Sequence, residues 1–388
     1  MTTHVFIVDL FTFRLHLEYL FAGTGAKEHV VDFNASTATR LHHKTEDTLV
    51  GMIADASRIR SGDHIIFYLQ QDIKKHVYEG KFYGIFQATQ DWSFLDNNDD
   101  KQYLKRELNK SLTFRTLIAP YKVYSEGVTE WEALDEIKNI ASPNQMLWSL
   151  IYRKLKANRG NTMITIYEAE RLTQLIRNKN KRSELNCRGK LISFNPTEER
   201  IVVDDGGPSP YAGRKEAINI LPRLLAKLHS KRAFEPHLQA YITRSLGKGT
   251  NSSLDIAILG GAQIEWLGNE VSCGVGMQRI DIMPSVLENG QRVLIPIELK
   301  SAEPEEKNVH QIQRYVDWIE QYYVPNRQSD IRPSLLARRT VNKQSNRFLR
   351  VVESLKRFNK KNAIRCEPAV FVEFDVDDND LVFSKVDY

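Results

Sequence analysis

The 388-residue sequence contains only three cysteines, which lie far apart at Cys187, Cys273 and Cys366. An odd and widely spaced set of this size argues against a disulfide framework and against a cysteine-ligated zinc site. A reducing compartment, the cytoplasm, is therefore the expected location.

Long apolar runs are also missing. No segment approaches the ~18 consecutive apolar residues of a membrane span, and the opening residues Met1–Asp9 lack the basic start of a secretion signal. Internal repeats and low-complexity tracts are absent as well. We expect a protein that is neither secreted nor inserted in a membrane.

Neither sign of charge is in large excess. The chain has 54 Lys and Arg against 49 Asp and Glu, a net charge of +5, and its calculated pI is near 8.9. This balance permits binding to nucleic acid without requiring it. A hydrophobic content of 41% and a charged content of 27% are those of an ordinary soluble protein, and the length fits two domains.

Two carboxylates and a lysine are predicted to converge in the last third of the chain. The apolar run 293–300 predicts one strand on which Glu298 and Lys300, two residues apart, point to the same face. An Asn-Gly dipeptide at 289–290, a strong hairpin-turn signal, separates this run from a short segment that ends at Asp281. A hairpin would fold Asp281 back beside Glu298.

Such a cluster suits metal-assisted hydrolysis of phosphodiesters. Two converging carboxylates repel each other unless a cation lies between them. Oxygen ligands without a nearby His or Cys pattern favour Mg²⁺, or Mn²⁺ in its place, over zinc. Lys300 would orient or help to deprotonate the nucleophile. The alternative is purely structural: Asp281 caps a turn, and Glu298 and Lys300 flank a buried strand.

Further motifs surround these residues in a definite order. They are Phe234-Glu235-Pro236-His237-Leu238 at a helix start, Gly276-Met277-Gln278-Arg279-Ile280-Asp281-Ile282, Ile297-Glu298-Leu299-Lys300, and Gln311 with Tyr315. With them, residues 229–388 resemble the PD-(D/E)xK nuclease superfamily, most closely its NucS-like and RecB-like branch. The second motif departs from that family's pattern, because Met277 and Gln278 separate the glycine from Arg279.

The resemblance implies roles for five of these residues. Asp281 and Glu298 would hold the metal, and Lys300 would position the water. Gln311 and Tyr315, which share a face of a helix predicted over Asn308–Tyr323, would support the site or contact the DNA backbone.

Glu235 and Arg279 are additional candidates. Glu235 would be an extra metal ligand, although a solvated glutamate at a helix start is favoured by the helix dipole alone. Arg279, two residues before the catalytic aspartate, would contact the DNA backbone.

The first block of the chain, about 1–178, predicts a compact β-rich module. Strands are predicted at Val5–Val8, His64–Leu69, Lys81–Ala88 and Thr116–Ser125. Helices are predicted at Arg14–Phe21, Trp131–Ile140, Asn144–Leu155 and Thr165–Arg177. The last of these begins with a capping-box signal, Thr165 followed by Glu168.

Three segments of this block carry a second resemblance: Gly62–Tyr68, Gly80–Ile85 and Asn144–Ile176. They are similar to the PUA-like superfamily that includes the EVE and YTH domains. Such domains take a base, often a modified one, into an aromatic pocket. Tyr68, Trp92 and Phe13 are the candidates for such a pocket here, and core packing is the alternative for each.

Basic residues near the end of the block are candidates for contacts to the DNA backbone. They are Arg153, Lys154, Lys156 and Arg159, followed by the cluster 177–182. Solvated helix ends are the alternative. The next segment, 179–228, contains the turn-rich stretch 204–210 and a helix predicted over Lys215–Leu228, and is interpreted as a bridge between domains.

The sequence thus predicts a two-domain protein of mixed α/β and α+β class. A PUA-like β-barrel with flanking helices (1–178) would be joined by the bridge (179–228) to a PD-(D/E)xK α/β nuclease core with a central mixed sheet (229–388). The expected activity is that of an Mg²⁺-dependent DNA endonuclease of the restriction type, whose first domain recognises the target. The alternatives are a repair nuclease for mismatched or branched DNA and a non-catalytic reader of nucleic acid. Cutting both strands requires a homodimer or two successive nicks.

Overall fold

The chain folds into two compact units of mixed α/β structure. A computed structural model describes residues 1–26, 29–33, 41–134, 140–147, 149–150, 160–273, 278–324 and 329–388. Unit 1 comprises Met1–Asp32 and Asp55–Ile218, and unit 2 comprises Phe33–Ala54 and Asn219–Tyr388. Within the described ranges, none of the helices combines the length and the apolarity that crossing a membrane requires.

The elements up to Ala217 are β1 (Thr3–Val8), α1 (Leu10–Glu18), β2 (Phe21–Thr24), α2 (His43–Ser57), β3 (His64–Leu69), β4 (Lys81–Ala88), β5 (Phe94–Leu95), α3 (Lys105–Leu108), β6 (Phe114–Pro120), β7 (Val128–Thr129), α4 (Glu130–Leu134), β8 (Asn161–Ile164), α5 (Ile166–Lys179), β9 (Leu191–Asn195), β10 (Arg200–Asp204) and β11 (Glu216–Ala217). The later elements are α6 (Leu221–His229), α7 (Glu235–Ser245), α8 (Ser252–Leu259), β12 (Gln263–Ser272), β13 (Arg279–Glu288), β14 (Gln291–Leu294), β15 (Ile297–Lys300), α9 (Glu306–Trp318), β16 (Asp330–Ile331), β17 (Ser334–Arg338), α10 (Asn346–Lys361), β18 (Val370–Asp377) and β19 (Asp380–Lys385).

Unit 1 is built around a nine-stranded sheet that curls into a half-barrel. Its strand order is β11-β5-β6-β4-β3-β1-β8, with β2 paired to β6 and β7 to β4. β1 and β3 are parallel, with Val5 opposite Ile66. The hairpin β9–β10 forms a separate two-stranded sheet, and its Phe194 packs against Phe13 of α1 with ring centroids 4.7 Å apart.

Several predicted elements of unit 1 agree with the structure. The strands at 64–69 and 81–88 are confirmed to the residue, and α5 begins with the predicted capping box of Thr165 and Glu168. The first helix was predicted too late in the chain. It begins at Leu10 because the side chain of Asp9 accepts the backbone N–H groups of Phe11 and Thr12, which caps the helix.

Other predictions for this unit shift or extend beyond the described residues. The strand predicted at 116–125 covers Phe114–Pro120. The helices predicted at 131–140 and 144–155 fall partly outside the described residues, and within them the structure has α4 and a short 3₁₀ turn at Pro143–Gln145.

The boundary between the units differs from the predicted one. Up to Ile218, the segment predicted as a bridge belongs to unit 1, because Ile192 and Ile201 of the β9–β10 hairpin are buried in its core. Residues 33–54 belong to unit 2 instead of the first block. The carboxylate of Glu46 there is bound by side chains that are almost 200 residues later in the chain.

Unit 2 contains an eight-stranded mixed sheet. Its order is β16-β14-β13-β15-β17-β18-β19, with β12 paired to β13. β15, β17 and β18 run parallel, while β13 is antiparallel to β12, β14 and β15. The long strand β13 therefore pairs with β14 at one end and with β15 at the other.

The apolar run 293–300 forms two strands and not the single strand that was predicted. The chain breaks at Ile295 and Pro296, since proline has no N–H to continue a ladder. The predicted turn at Asn289 and Gly290 is present, and both residues have the positive φ, 51° and 80°, that suits a tight hairpin. Asp281 does not end a short segment: it is the third residue of the ten-residue strand β13.

Candidate active site

Asp281 and Glu298 face each other on neighbouring antiparallel strands. The register of β13 and β15 places Ile282 opposite Ile297, so the next pair along the two strands is Asp281 with Glu298. The backbone N–H of Leu299 donates to Oδ2 of Asp281 at 2.8 Å. Strand pairing therefore holds the two carboxylates together.

Lys300 lies between carboxylates from two elements. Its Nζ is 2.8 Å from Oε1 of Glu298 and 3.5 Å from Oε1 of Glu235. Glu298 is fully buried, whereas the side chains of Lys300 and Glu235 are 23% and 42% exposed. Glu235, the first residue of α7, is fixed by the N–H of Ser301, which donates to its Oε2 at 3.2 Å. The ammonium group therefore borders both the buried carboxylate and solvent.

Helix α9 contributes a tyrosine to the buried carboxylate. The hydroxyl of Tyr315 donates to Oε2 of Glu298 at 2.5 Å and lies 3.0 Å from the carbonyl oxygen of Arg279. Gln311, one turn earlier, is half-buried, and its Oε1 accepts a hydrogen bond from Asn308 at 3.3 Å. The structure thus brings Tyr315 into contact with the carboxylate pair and places Gln311 beside it on the helix.

The electrostatics of the site show a shortage of positive charge. Burial, together with the Glu298 carboxylate, raises the pKa of Asp281 to about 8. Burial also raises the pKa of Glu298, although Lys300 and Tyr315 act in the opposite direction. Burial acts to lower the pKa of Lys300, but the Glu298 carboxylate outweighs it and the net shift is upward. Additional positive charge at this point would stabilise both carboxylates in their ionised form.

The donor set fits a hard divalent cation. Oε1 of Glu298 is buried and accepts no hydrogen bond of good geometry from the described residues, although Lys300 forms an ion pair with it. Among those residues there is no cluster of three or more His, Cys, Asp and Glu side chains arranged around a metal. Mg²⁺ does not require one, because it is typically bound by one or two carboxylates, with waters and substrate phosphates as the other ligands.

The structure describes only some of the residues that were predicted to contact the DNA backbone. Arg279 forms an ion pair with Glu270 of β12, with 2.7 Å between Nη1 and Oε2. Arg153, Lys154 and Arg159 lie outside the described residues. The same holds for residues 274–277 of the motif that precedes Asp281.

The three aromatic candidates for a base pocket differ in their surroundings. Phe13 is fully buried in the core of unit 1. Tyr68 is also fully buried, and its hydroxyl donates to Glu130 at 2.8 Å. Trp92 is 41% exposed and packs edge-on against Phe94. Of the three, Trp92 is the side chain that reaches solvent.

Three residues near the site were missed in the sequence. Gln239 donates from Nε2 to the carbonyl oxygen of Asp281 at 2.7 Å, and its spacing of four from Glu235 could have indicated a shared helix face. Asn308, three residues before Gln311, has a similar spacing. Cys273 is a buried thiol whose pKa is raised to about 12, mainly by burial and further by Asp281 and Glu298. No spacing pattern pointed to it.

No family model matches the chain, and no curated protein matches it significantly. The resemblances to PD-(D/E)xK nucleases and to PUA-like domains therefore remain predictions, and the chemistry of the site is argued from its own residues.

Proposed function

We propose that unit 2 is an Mg²⁺-dependent endonuclease domain that hydrolyses phosphodiester bonds of DNA. One observation carries this proposal: two carboxylates, the half-buried Asp281 and the fully buried Glu298, oppose each other across paired strands, with the ammonium of Lys300 2.8 Å from Glu298. A purely structural ion pair would not need a second carboxylate whose pKa is raised to about 8.

Asp281 and Glu298 would hold the ion, and Glu235 is placed to add a ligand through water. When bound, Mg²⁺ supplies charge neutralisation at a phosphoryl oxygen and a more acidic water. Both carboxylates offer only hard oxygen donors, and such donors favour Mg²⁺ over zinc.

The remaining residues orient the reacting groups. Lys300 can donate hydrogen bonds to a water molecule or to a phosphate oxygen while its position is set by Glu298. The hydroxyl of Tyr315 holds the Glu298 carboxylate in one orientation, as partners of metal ligands commonly do. Gln239 donates to the backbone carbonyl oxygen of Asp281, and the N–H of Leu299 donates to its carboxylate. Both contacts hold Asp281 in place.

We further propose that unit 1 selects the target, as in a restriction endonuclease that senses a modified base. The pairing of a reader with a nuclease is an argument from analogy, and the half-exposed Trp92 is the side chain that favours it most. One site per chain implies that two chains act together or that two nicks follow each other.

The proposal is tested with Lys300→Ala and the matched variant Lys385→Ala, which removes an exposed lysine on β19. We expect Lys300→Ala to abolish plasmid cleavage in Mg²⁺ while binding to DNA is largely retained, because the ammonium contributes more to the reaction than to DNA binding. Lys385→Ala should cleave like the wild type. Cleavage by Lys300→Ala near the wild-type rate would refute the assignment.

The choice of target requires a panel of substrates. Matched plasmids should be compared in unmodified form and with N6-methyladenine or modified cytosine, alongside mismatched and branched duplexes. Preferred cleavage of a modified plasmid supports the restriction role. Preferred cleavage of mismatched or branched DNA would instead identify a repair nuclease.

A further inference from the structure

Helix α10 concentrates the positive charge of the chain. It has six basic residues and one acidic residue, a net charge of +5, which equals the net charge of all 388 residues. The charged residues are Arg347, Arg350, Glu353, Lys356, Arg357, Lys360 and Lys361. The rest of the sequence is therefore neutral overall, and this helix stands out from it.

The basic residues lie on one side of the helix. The opposite side is apolar and buried, with Val351, Leu355 and Phe358 in the core of unit 2. Arg350, and then Arg357 seven residues later, follow one exposed row. Continued to Lys361, this row extends over about 16 Å of helix. The row is long enough to contact more than one phosphate of a nucleic-acid backbone.

Helix α9 connects this row to the candidate active site. One side of α9 faces α10: Glu306 pairs with Arg357 at 2.8 Å, and Gln313 accepts a hydrogen bond from Asn362 at 2.8 Å. Another side carries Tyr315, which contacts Glu298.

Between these two sides of α9 lie the exposed residues His310 and Arg314, four apart on one face. We define the basic face as His310, Arg314, Arg350, Arg357, Lys360 and Lys361. It extends from the neighbourhood of the carboxylate pair across α9 to α10.

Most of this charge is not neutralised by the protein. Arg357 pairs with Glu306, whereas Arg314, Arg350, Lys360 and Lys361 form no ion pair with any part of the chain that the structure describes. Like charges four apart, such as Arg357 and Lys361, destabilise a helix. The helix dipole compensates for lysines in the last turn but not for Arg350 in the first half. A row of this kind is complementary to a polyanion.

We propose that the basic face binds the sugar-phosphate backbone of duplex DNA and directs it to Asp281 and Glu298. The inference rests on the proposed function, which makes DNA the polyanion that must reach these carboxylates. Phosphate contacts of this kind set position and affinity and carry no sequence information.

The test compares two triple variants with equal loss of charge. Arg350→Gln/Lys360→Gln/Lys361→Gln removes three charges from the basic face, and Lys231→Gln/Arg232→Gln/Lys385→Gln removes three exposed charges elsewhere in unit 2. Binding to a labelled 30-base-pair duplex is measured by fluorescence anisotropy in EDTA, over a series of salt concentrations. EDTA prevents cleavage during the measurement.

We expect the first variant to bind DNA at least about tenfold more weakly, with a slope of log affinity against log salt smaller by about 2 to 3, because each lost phosphate contact lowers it by about 0.9. The control variant should keep its affinity within about twofold of the wild type and its salt slope unchanged. Equal weakening in both variants, or no weakening in either, would overturn the inference. Equal competition by an RNA duplex of the same length would overturn the assignment to DNA.

A single-turnover cleavage assay with protein in excess separates this inference from the proposed function. At equal protein concentration the first variant should cut the DNA more slowly than the wild type, because less of the DNA is bound. If the wild type binds DNA through the basic face but cuts nothing in Mg²⁺, the proposed function fails and the binding surface stands. If the wild type cuts and the first variant binds normally, the surface is wrong and the function stands.

Discussion

The hydroxyl of Tyr315 donates a hydrogen bond of 2.5 Å to the buried carboxylate of Glu298. This contact joins helix α9 to strand β15, while the other oxygen of the same carboxylate lies 2.8 Å from Lys300. The glutamate is therefore held from two sides, by a neutral donor and by a cation. Such double fixation is what a metal-binding carboxylate needs in order to present one lone pair in a constant direction.

Tyr315→Phe tests this role directly. The variant leaves Oε2 of Glu298 without its donor, so we expect cleavage to fall by about 10- to 100-fold, and the Mg²⁺ concentration that gives half the maximal rate to rise. Stability should fall by about 1 to 3 kcal/mol, because a buried acceptor loses its partner. The cleavage rate as a function of Mg²⁺ and urea denaturation measure the two effects.

The matched control is Tyr388→Phe, which removes a hydroxyl that lies against the carbonyl oxygen of Ala369. It should alter stability and leave the rate per folded molecule unchanged. Similar rates in the two variants would show that Tyr315 does not position Glu298.

Asp281 makes stability depend on pH. Its pKa in the folded protein is raised to about 8 by burial and by Glu298, so its ionisation opposes folding. The contribution of Asp281 to the free energy of unfolding is fully present at acidic pH, where the group is protonated. It is lost as pH rises through about 8, and it amounts to about 1.4 kcal/mol for each unit by which folding raises the pKa. Without divalent metal, Asp281→Asn should therefore be more stable than the wild type at pH 8.5, and the difference should shrink toward pH 5.

Urea denaturation at several pH values, with and without Mg²⁺, checks this expectation. Mg²⁺ should stabilise the wild type at pH 8.5 and leave Asp281→Asn almost unaffected, because binding to the folded state alone raises stability. Asp330→Asn, an exposed carboxylate in the same sheet, serves as the control. A wild type whose stability at alkaline pH does not respond to Mg²⁺ would contradict the proposed metal site.

Glu46 is expected to stabilise unit 2 without taking part in the reaction. Its carboxylate lies 2.8 Å from Arg223, 2.9 Å from His237 and 3.4 Å from Lys227. Burial acts to raise its pKa, but the hydrogen bonds of His237 and Arg223 outweigh it and lower the pKa well below its usual range. Glu46→Gln removes the carboxylate that forms ion pairs with Arg223 and Lys227, and a loss of about 3 kcal/mol is expected at neutral pH.

The sign of the pH effect is opposite to that of Asp281. A lowered pKa contributes stability that is present above pH 4.5, the ordinary value for glutamate, and is lost as pH falls. The gap between wild type and variant should therefore close in acid. The control is Glu367→Gln, which breaks a more exposed pair with Arg332 and should cost about 1 kcal/mol or less. Equal losses in the two variants would contradict the role assigned to Glu46.

The aromatic candidates of unit 1 can be separated by substitution. Phe13→Ala should destabilise the protein by about 3 to 5 kcal/mol, because a fully buried ring is removed from the core. Trp92→Ala should change stability little and weaken binding to DNA that carries the preferred base by about 1 to 3 kcal/mol, the usual contribution of stacking. Calorimetry and binding assays on both variants make the comparison. Unchanged binding by Trp92→Ala to every DNA of the panel would exclude it from a base pocket.

Much of the local structure could be predicted from the sequence because short-range interactions decide it. Apolar runs that follow turn residues located strands β3 and β4 to the residue, and Thr165 with Glu168 marked the start of α5. The turn between β13 and β14 could also be predicted from its Asn-Gly dipeptide, because its two positive φ angles suit few other residue pairs.

Errors arose where a distant partner decided the outcome. Residues 33–54 group with unit 2, where Glu46 meets His237, 191 positions away. The β9–β10 hairpin packs into the core of unit 1 although turn residues surround it. The two halves of the run through Pro296 both pair with β13, but β14 also pairs with β16 and β15 with β17.

The sequence by itself determined which groups are available for chemistry: a carboxylate on each of two predicted strands and a lysine two residues after one of them. Only the tertiary structure decided how these groups are positioned and how readily they ionise. Strand register set Asp281 against Glu298, α9 supplied the hydroxyl of Tyr315, and burial raised the pKa of both carboxylates. The physical reason is that residue identity and spacing act locally, whereas desolvation and charge pairing depend on groups that only folding brings together.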